Sequence, residues 1–130
     1  SFMSEKNVFA IIYKGNDKVV GSLGLHYSWA NDDSKYSTLK LKEIGYVLSK
    51  TYWGQGLMPE AVKEIIKFCF NKCGLDALTI GHFSNNDQSK RVIEKCGFEF
   101  VKQSEYYAKQ LQQNFVDMKY ILYRQSSNTA

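Results

Sequence analysis

Six apolar residues at helical spacing, Ala61, Val62, Ile65, Ile66, Cys69 and Phe70, stand between two short apolar runs, Leu39 to Leu48 and Ala77 to His82. The outer runs read as strands. The middle reads as a helix from Pro59 to about Lys72, with Lys63, Glu64, Lys67 and Lys72 on its wet face and Gly74 to stop it. No other feature restricts the fold as much: two strands joined through a helix lie parallel in one sheet, with a right-handed crossover. A ligand is expected at such a unit, beyond the ends of the strands.

The flanks supply further strands. Val8 to Tyr13 is an apolar run broken by Lys14-Gly15-Asn16-Asp17 and resumed from Val19-Val20 to Trp29, which reads as a hairpin. Ala30 to Lys35 is polar and reads as a loop. The strand Leu39 to Leu48 sets Leu39, Leu41 and Glu43 against Lys40, Lys42 and Ile44 before turning apolar. Asn85-Asn86-Asp87 offers N-caps for a shorter helix from Ser89 to Cys96, with Val92, Ile93 and Cys96 on one face and Gly97 at its end. Two β-rich runs, Phe98 to Tyr107 and Phe115 to Tyr123, close the order as three strands, helix, strand, helix, two strands. At 130 residues and 44% hydrophobic, this predicts a single α/β (α+β) domain over residues 1–124, one mixed sheet with helices packed on it, and a frayed polar tail over 125–130.

Charge and cysteine usage narrow the function classes. The net charge of +4 is scattered without a basic stripe, which argues against nucleic acid as partner. Cys69, Cys73 and Cys96 are odd in number and lack the His or second pair of a metal site, so they read as buried thiols in a reducing cytoplasm. No apolar run approaches the ~20 residues of a membrane span, and the start carries no signal-peptide pattern. The expectation is a cytoplasmic protein with no metal, nucleic-acid or membrane partner.

Ahead of the central helix lies Trp53-Gly54-Gln55-Gly56-Leu57-Met58-Pro59-Glu60-Ala61. Glycines at a helix start either make a tight strand-to-helix turn or clear side chains from backbone N–H groups that can hold a phosphate. Pro59 suits the first helical turn, where its missing N–H costs nothing. Two nucleotide signatures are absent: no Gly-Lys-Ser/Thr follows, and no third glycine.

The run Glu43-Ile44-Gly45-Tyr46-Val47-Leu48, then Tyr52 to Met58, then Glu60-Ala61, resembles the acetyl-coenzyme A motif of the GNAT N-acetyltransferases in its RimJ/RimL form. Asn86-Asp87-Gln88-Ser89, leading through a helix to Gly97-Phe98, resembles the same group's Asn-x-x-Ser segment. The resemblance covers nearly the whole chain. It implies a mostly antiparallel sheet with a central β-α-β acetyl-CoA unit and a C-terminal β-hairpin. It implies acetyl transfer from acetyl-CoA to a primary amine, a protein N-terminus or a small amine, by direct attack on the thioester.

On that resemblance the cofactor's pyrophosphate lies on Trp53, Gly54, Gln55, Gly56, Leu57 and Met58. Val47 and Leu48 give backbone groups to the pantetheine arm, and Ser89, with Asn86 beside it, meets the sulfur end. Ser89 and Asn86 also fit ordinary helix capping. Glu43 is the candidate base, taking the ammonium proton through a water; it reads equally as a solvent-facing residue paired with Lys40 or Lys42. Tyr106 and Tyr107 read as packing, Cys96 as core, and His26 and His82 as sitting in or beside the sheet. Met58 stands where many members carry a small residue. Members of the family also place a strand and two helices before the hairpin, forming one wall of the acceptor site. A chain opening at Ser1-Phe2-Met3 is expected to be short there, with an exposed sheet edge that favours a homodimer. The alternative reading is an impaired acyl-CoA-binding or interaction domain of the same fold.

Overall fold

The computed structural model describes residues 8–125, apart from the Tyr106 side chain. Six strands, β1 (Val8–Tyr13), β2 (Lys18–His26), β3 (Leu41–Leu48), β4 (Ala77–Phe83), β5 (Glu99–Ala108) and β6 (Gln113–Tyr123), form one sheet in the order β1-β2-β3-β4-β6-β5. Two helices, α1 (Leu57–Asn71) and α2 (Asp87–Lys95), follow β3 and β4. The β3–β4 pair is parallel and every other pair is antiparallel, so the expected mostly antiparallel sheet with a central β-α-β unit and a closing hairpin is observed. That hairpin doubles back: β6 pairs with β4, and β5 becomes the edge.

Alternation along the central strands divides the core. Ile44, Leu78, Ile80 and Tyr120 face one side and pack with Met58, Val62 and Ile65 of α1 and Val92 and Ile93 of α2, so both helices cover the same face. Leu41, Ala77 and Ile121 face the other side, against Ala30 and Tyr36. Ile93 is fully buried between α2 and the sheet. Ile93→Ala therefore costs about 2–5 kcal/mol of stability, read as a lowered urea midpoint with unchanged slope.

The segment expected to be the end of a strand and a loop folds differently. β2 stops at His26, and Trp29–Asp32 and Ser34–Tyr36 are two 3-10 turns. The polar residues act as serial caps: Ser28 Oγ accepts from the Ala30 N–H, Asn31 Oδ1 from the Ser28 N–H, and Asp33 Oδ1 from the Lys35 N–H. Between those caps Ala30 and Tyr36 become buried. Both helices begin two residues earlier than expected, α1 at Leu57 after Gly56 and α2 at Asp87 after Asn86. Pro59 is thus the third residue of α1, still among those whose N–H lacks an intrahelical acceptor. Gln125 is described and exposed, while the rest of the predicted tail lies outside the described residues.

Candidate active site

The parallel pairing of β3 with β4 stops at Ile44 opposite Ile80, yet β3 continues to Leu48 and β4 to Phe83. Past that point each strand keeps its outer neighbour, β2 or β6, and the two part like a fork. Backbone groups on the facing edges have no strand across from them, so an extended ligand with its own amides can complete them. At the tip of β3, the Trp53 indole N–H donates to the Leu48 carbonyl at 2.9 Å and pins the following loop to the strand end.

That loop turns on Gly54 and Gly56, at φ +78° and +77°, values that L side chains adopt only under strain. A Cβ on either glycine would meet no atom within 4 Å, so they face open space rather than a packed turn. Gly56 is the N-cap of α1 and provides no side chain to cap it, leaving first-turn N–H groups directed outward at the positive end of the helix dipole. A cavity of about 200 Å³ lies in front, lined by Gly54, Gly56, Leu57 and Pro59 and, from α2, by Arg91 and Lys95. Two cations and a helix N-terminus around one small space have the charge and donors that suit an anion. The glycines shape the turn and leave the space in front of it open.

A second cavity of about 200 Å³, lined by Tyr46, Val47, Trp53, Asn86 and Ser89, shares Leu48, Met58, Gln88 and Val92 with the first. The two form one channel from the start of α1 toward the fork. Of the residues expected there, only Gln55 lines neither part; its side chain turns back to the Thr51 carbonyl at 3.3 Å. Met58, 2% exposed, is a core residue that floors both cavities. Asn86 caps α2 by accepting the Ser89 N–H at 3.1 Å, and both residues line the channel. The buried Tyr46 hydroxyl lies in the same stretch, where burial raises the phenol and Ser89 opposes part of the rise. The Tyr46 hydroxyl makes no hydrogen bond of ordinary geometry among the described residues.

Glu43 sits one residue before the fork, opposite Thr79, on the sheet face away from the helices. It is half-buried and accepts the Thr79 hydroxyl at 2.9 Å rather than pairing with Lys40 or Lys42. Burial pushes its carboxyl above the usual range; the Thr79 hydrogen bond and then Lys119 oppose that, Asp117 adds to it, and His26 opposes it. Lys119 and Asp117 form a 2.8 Å ion pair on β6. Asp117 Oδ1 occupies the space a Cβ on Gly81 would need, 3.2 Å away, and the exposed His26 ring similarly covers Gly45. A half-buried carboxylate raised above its usual range beside the fork has the chemistry of a general base.

The remaining candidates fall outside the site. His82 Nδ1 bonds the Phe83 carbonyl, an acceptor only, so it carries the proton and Nε2 receives the Tyr120 hydroxyl. Burial raises the Cys96 thiol and pushes Cys69 up to about 12, the opposite of an activated nucleophile, whereas Cys73, expected to be buried, is exposed just past the end of α1. A larger cavity, about 600 Å³, is a mainly apolar groove between β1 and α1 that includes Phe9, Ile11, Leu23 and Ile65. Its charged lining is one lysine, Lys14, against two glutamates, Glu60 and Glu64. Arg91 and Lys95 were not anticipated from sequence, although Gln88, Arg91 and Lys95 recur three and four residues apart, which puts them on one helix face. Thr79, Asp117 and Lys119 gave no such signal, because only strand register brings them to Glu43.

A family model described as an acetyltransferase (GNAT) domain matches residues 2–99. The chain is 31% identical over 94 residues to the Bacillus subtilis protein named "Probable N-acetyltransferase YjcK", covering 72% of this chain and 49% of that one. Its fold is similar to that of the ribosomal-protein-S5-alanine acetyltransferase from Vibrio fischeri, with a TM-score of 0.67, 20% identity and coverage of 86% of this chain and 59% of that one. It is also similar to yncA of Salmonella typhimurium, solved with its cofactor acetyl-CoA, with a TM-score of 0.69, 19% identity and coverage of 88% and 63%. The chain spans about half the length of the curated relatives it matches.

Proposed function

Because the chain belongs to the acetyltransferase (GNAT) family, we propose that it transfers an acetyl group from acetyl-CoA to a primary amine, a protein N-terminus or a small amine. The observation that carries this reading is the pair of adjoining cavities that run from the α1 amides, Arg91 and Lys95 to the end of β3 and the start of α2, where β3 and β4 part. The diphosphate rests on the loop from Trp53 to Met58 against the two cations. The pantetheine arm runs past Val47, Leu48 and Ser89 and completes the open strand edges.

At the fork the thioester carbonyl meets an amine arriving from the Glu43 face. The amine attacks as the free base, so Glu43 first takes its ammonium proton, through a water. The carbon–nitrogen bond forms, the tetrahedral oxyanion collapses, and the carbon–sulfur bond breaks. Ser89 or the Tyr46 hydroxyl behind it gives its proton to the departing thiolate and recovers one through water from the acylated nitrogen, which sheds its second proton as it becomes the neutral amide. The protein contributes mainly by holding amine and carbonyl in line within a channel that excludes bulk water. The three thiols suit a reducing cytoplasm, and pairing along the β1 edge is the proposed route to a homodimer.

The test is release of free thiol from acetyl-CoA with a panel of peptides and small amines. Turnover with one class supports the reading; acetyl-CoA binding without thiol release from any amine would replace it with the acyl-CoA-binding alternative. Arg91→Ala with Lys95→Ala weakens acetyl-CoA binding by roughly tenfold or more at low salt and flattens its salt dependence, measured by calorimetry at several ionic strengths.

A further inference from the structure

We infer that Thr79 and Ser28 are positioning residues that hold Glu43 ready as the base, through a chain of buried hydroxyls with a fixed direction. The inference rests on the reading of Glu43 given above.

Ser28, just past the end of β2, and Thr79, in the middle of β4, are both fully buried and lie 51 residues apart in sequence. Their hydroxyl oxygens are 2.6 Å apart, and Thr79 Oγ1 is 2.9 Å from Glu43 Oε1. The Ala30 N–H, which can only donate, reaches Ser28 Oγ at 3.1 Å. An ionised Glu43 can only accept, so the one proton of Thr79 goes to Glu43 and the one proton of Ser28 goes to Thr79. The chain therefore runs from Ala30 N–H through Ser28 and Thr79 to the carboxylate. Each donor along it is already polarised by the one behind.

Protonating Glu43 disturbs this order. If its new O–H donates to Thr79, the chain reverses and the Ser28 proton is left in a fully buried place without the acceptor it had. If the O–H points elsewhere, Thr79 donates to a poorer acceptor. Either way the chain favours the ionised form and fixes which carboxylate oxygen is held, leaving the other for the water or amine. Thr79 opposes the burial of Glu43 together with Lys119 of β6 and His26 of β2, while Asp117 of β6 acts in the contrary sense. The alternation of β4 fits the role: Leu78 and Ile80 are apolar core, and the residue between them is a buried hydroxyl.

The test follows the carboxyl carbon of Glu43 in the 13C-glutamate-labelled full chain through a pH titration, the signal being assigned by its loss in Glu43→Gln. In Thr79→Val, which keeps the shape and removes the hydroxyl, the titration midpoint moves to higher pH. Thr79→Ser restores it. Ser28→Ala moves it less, and Ser28→Ala with Thr79→Val moves it no further than Thr79→Val alone. With an amine found by the thiol-release screen, the acid limb of kcat/KM follows the same order, and activity on that limb falls roughly tenfold in Thr79→Val. A midpoint unchanged in a folded Thr79→Val would overturn the inference. If Glu43→Gln leaves the rate profile unchanged, the base assignment fails instead, and the carboxyl titration still decides whether the hydroxyl chain acts on Glu43.

Discussion

Replacing Gly56 by tryptophan abolishes acetyl-CoA binding while leaving the fold in place. The two halves of that expectation come from different observations. A Cβ at position 56 meets no protein atom within 4 Å, so the indole projects into the cavity in front of α1, the proposed diphosphate site. The cost to folding is the strain of φ +77° in a residue with a side chain, about 1–2 kcal/mol. Gly56→Ala separates the effects: it carries the same strain with a smaller intrusion. It is expected to unfold at nearly the same urea concentration as the tryptophan variant and to retain part of the binding. Calorimetric titration beside a urea melt of each variant checks both. Binding by Gly56→Trp at native affinity would remove the loop from the cofactor site.

Glu43→Gln is the second large effect. An amide of the same shape keeps a hydrogen bond with Thr79 but cannot take a proton, so kcat/KM falls by about 10² to 10⁴ while the affinity for acetyl-CoA is unchanged. The sign of the pH dependence follows from the state the base must hold. Only the carboxylate accepts the proton, so activity rises with pH through the Glu43 titration and is lost below it. Because burial lifts that titration above the usual carboxylate range, the loss begins at milder acidity than an exposed glutamate would give. An equal fall in acetyl-CoA affinity would point to a role in binding instead.

Much of this architecture is legible in the sequence because it rests on local rules. The change of period between Leu48 and Ala61 identifies strand and helix, and the crossover rule then makes β3 and β4 parallel without further information. The glycines are equally readable, since φ above zero is a local demand. The fork is different: it depends on where the β3–β4 pairing stops, which is set by the neighbours β2 and β6. Sequence places Glu43 on a strand but leaves open whether it meets lysines or the cleft, because Thr79, Asp117 and Lys119 reach it only across the sheet. The 3-10 turns after Ser28 were obscured because polar caps look like an open loop until the burial of Ala30 and Tyr36 is seen.

The most direct measurement is an amide 15N–1H titration of the full chain with acetyl-CoA. The account predicts that the largest shifts fall on Gly54, Gly56, Leu57 and Met58, with a second group at Val47, Leu48 and Ser89 tracing the channel to the fork. Shifts confined to the apolar groove between β1 and α1, or none at saturating acetyl-CoA, would contradict it.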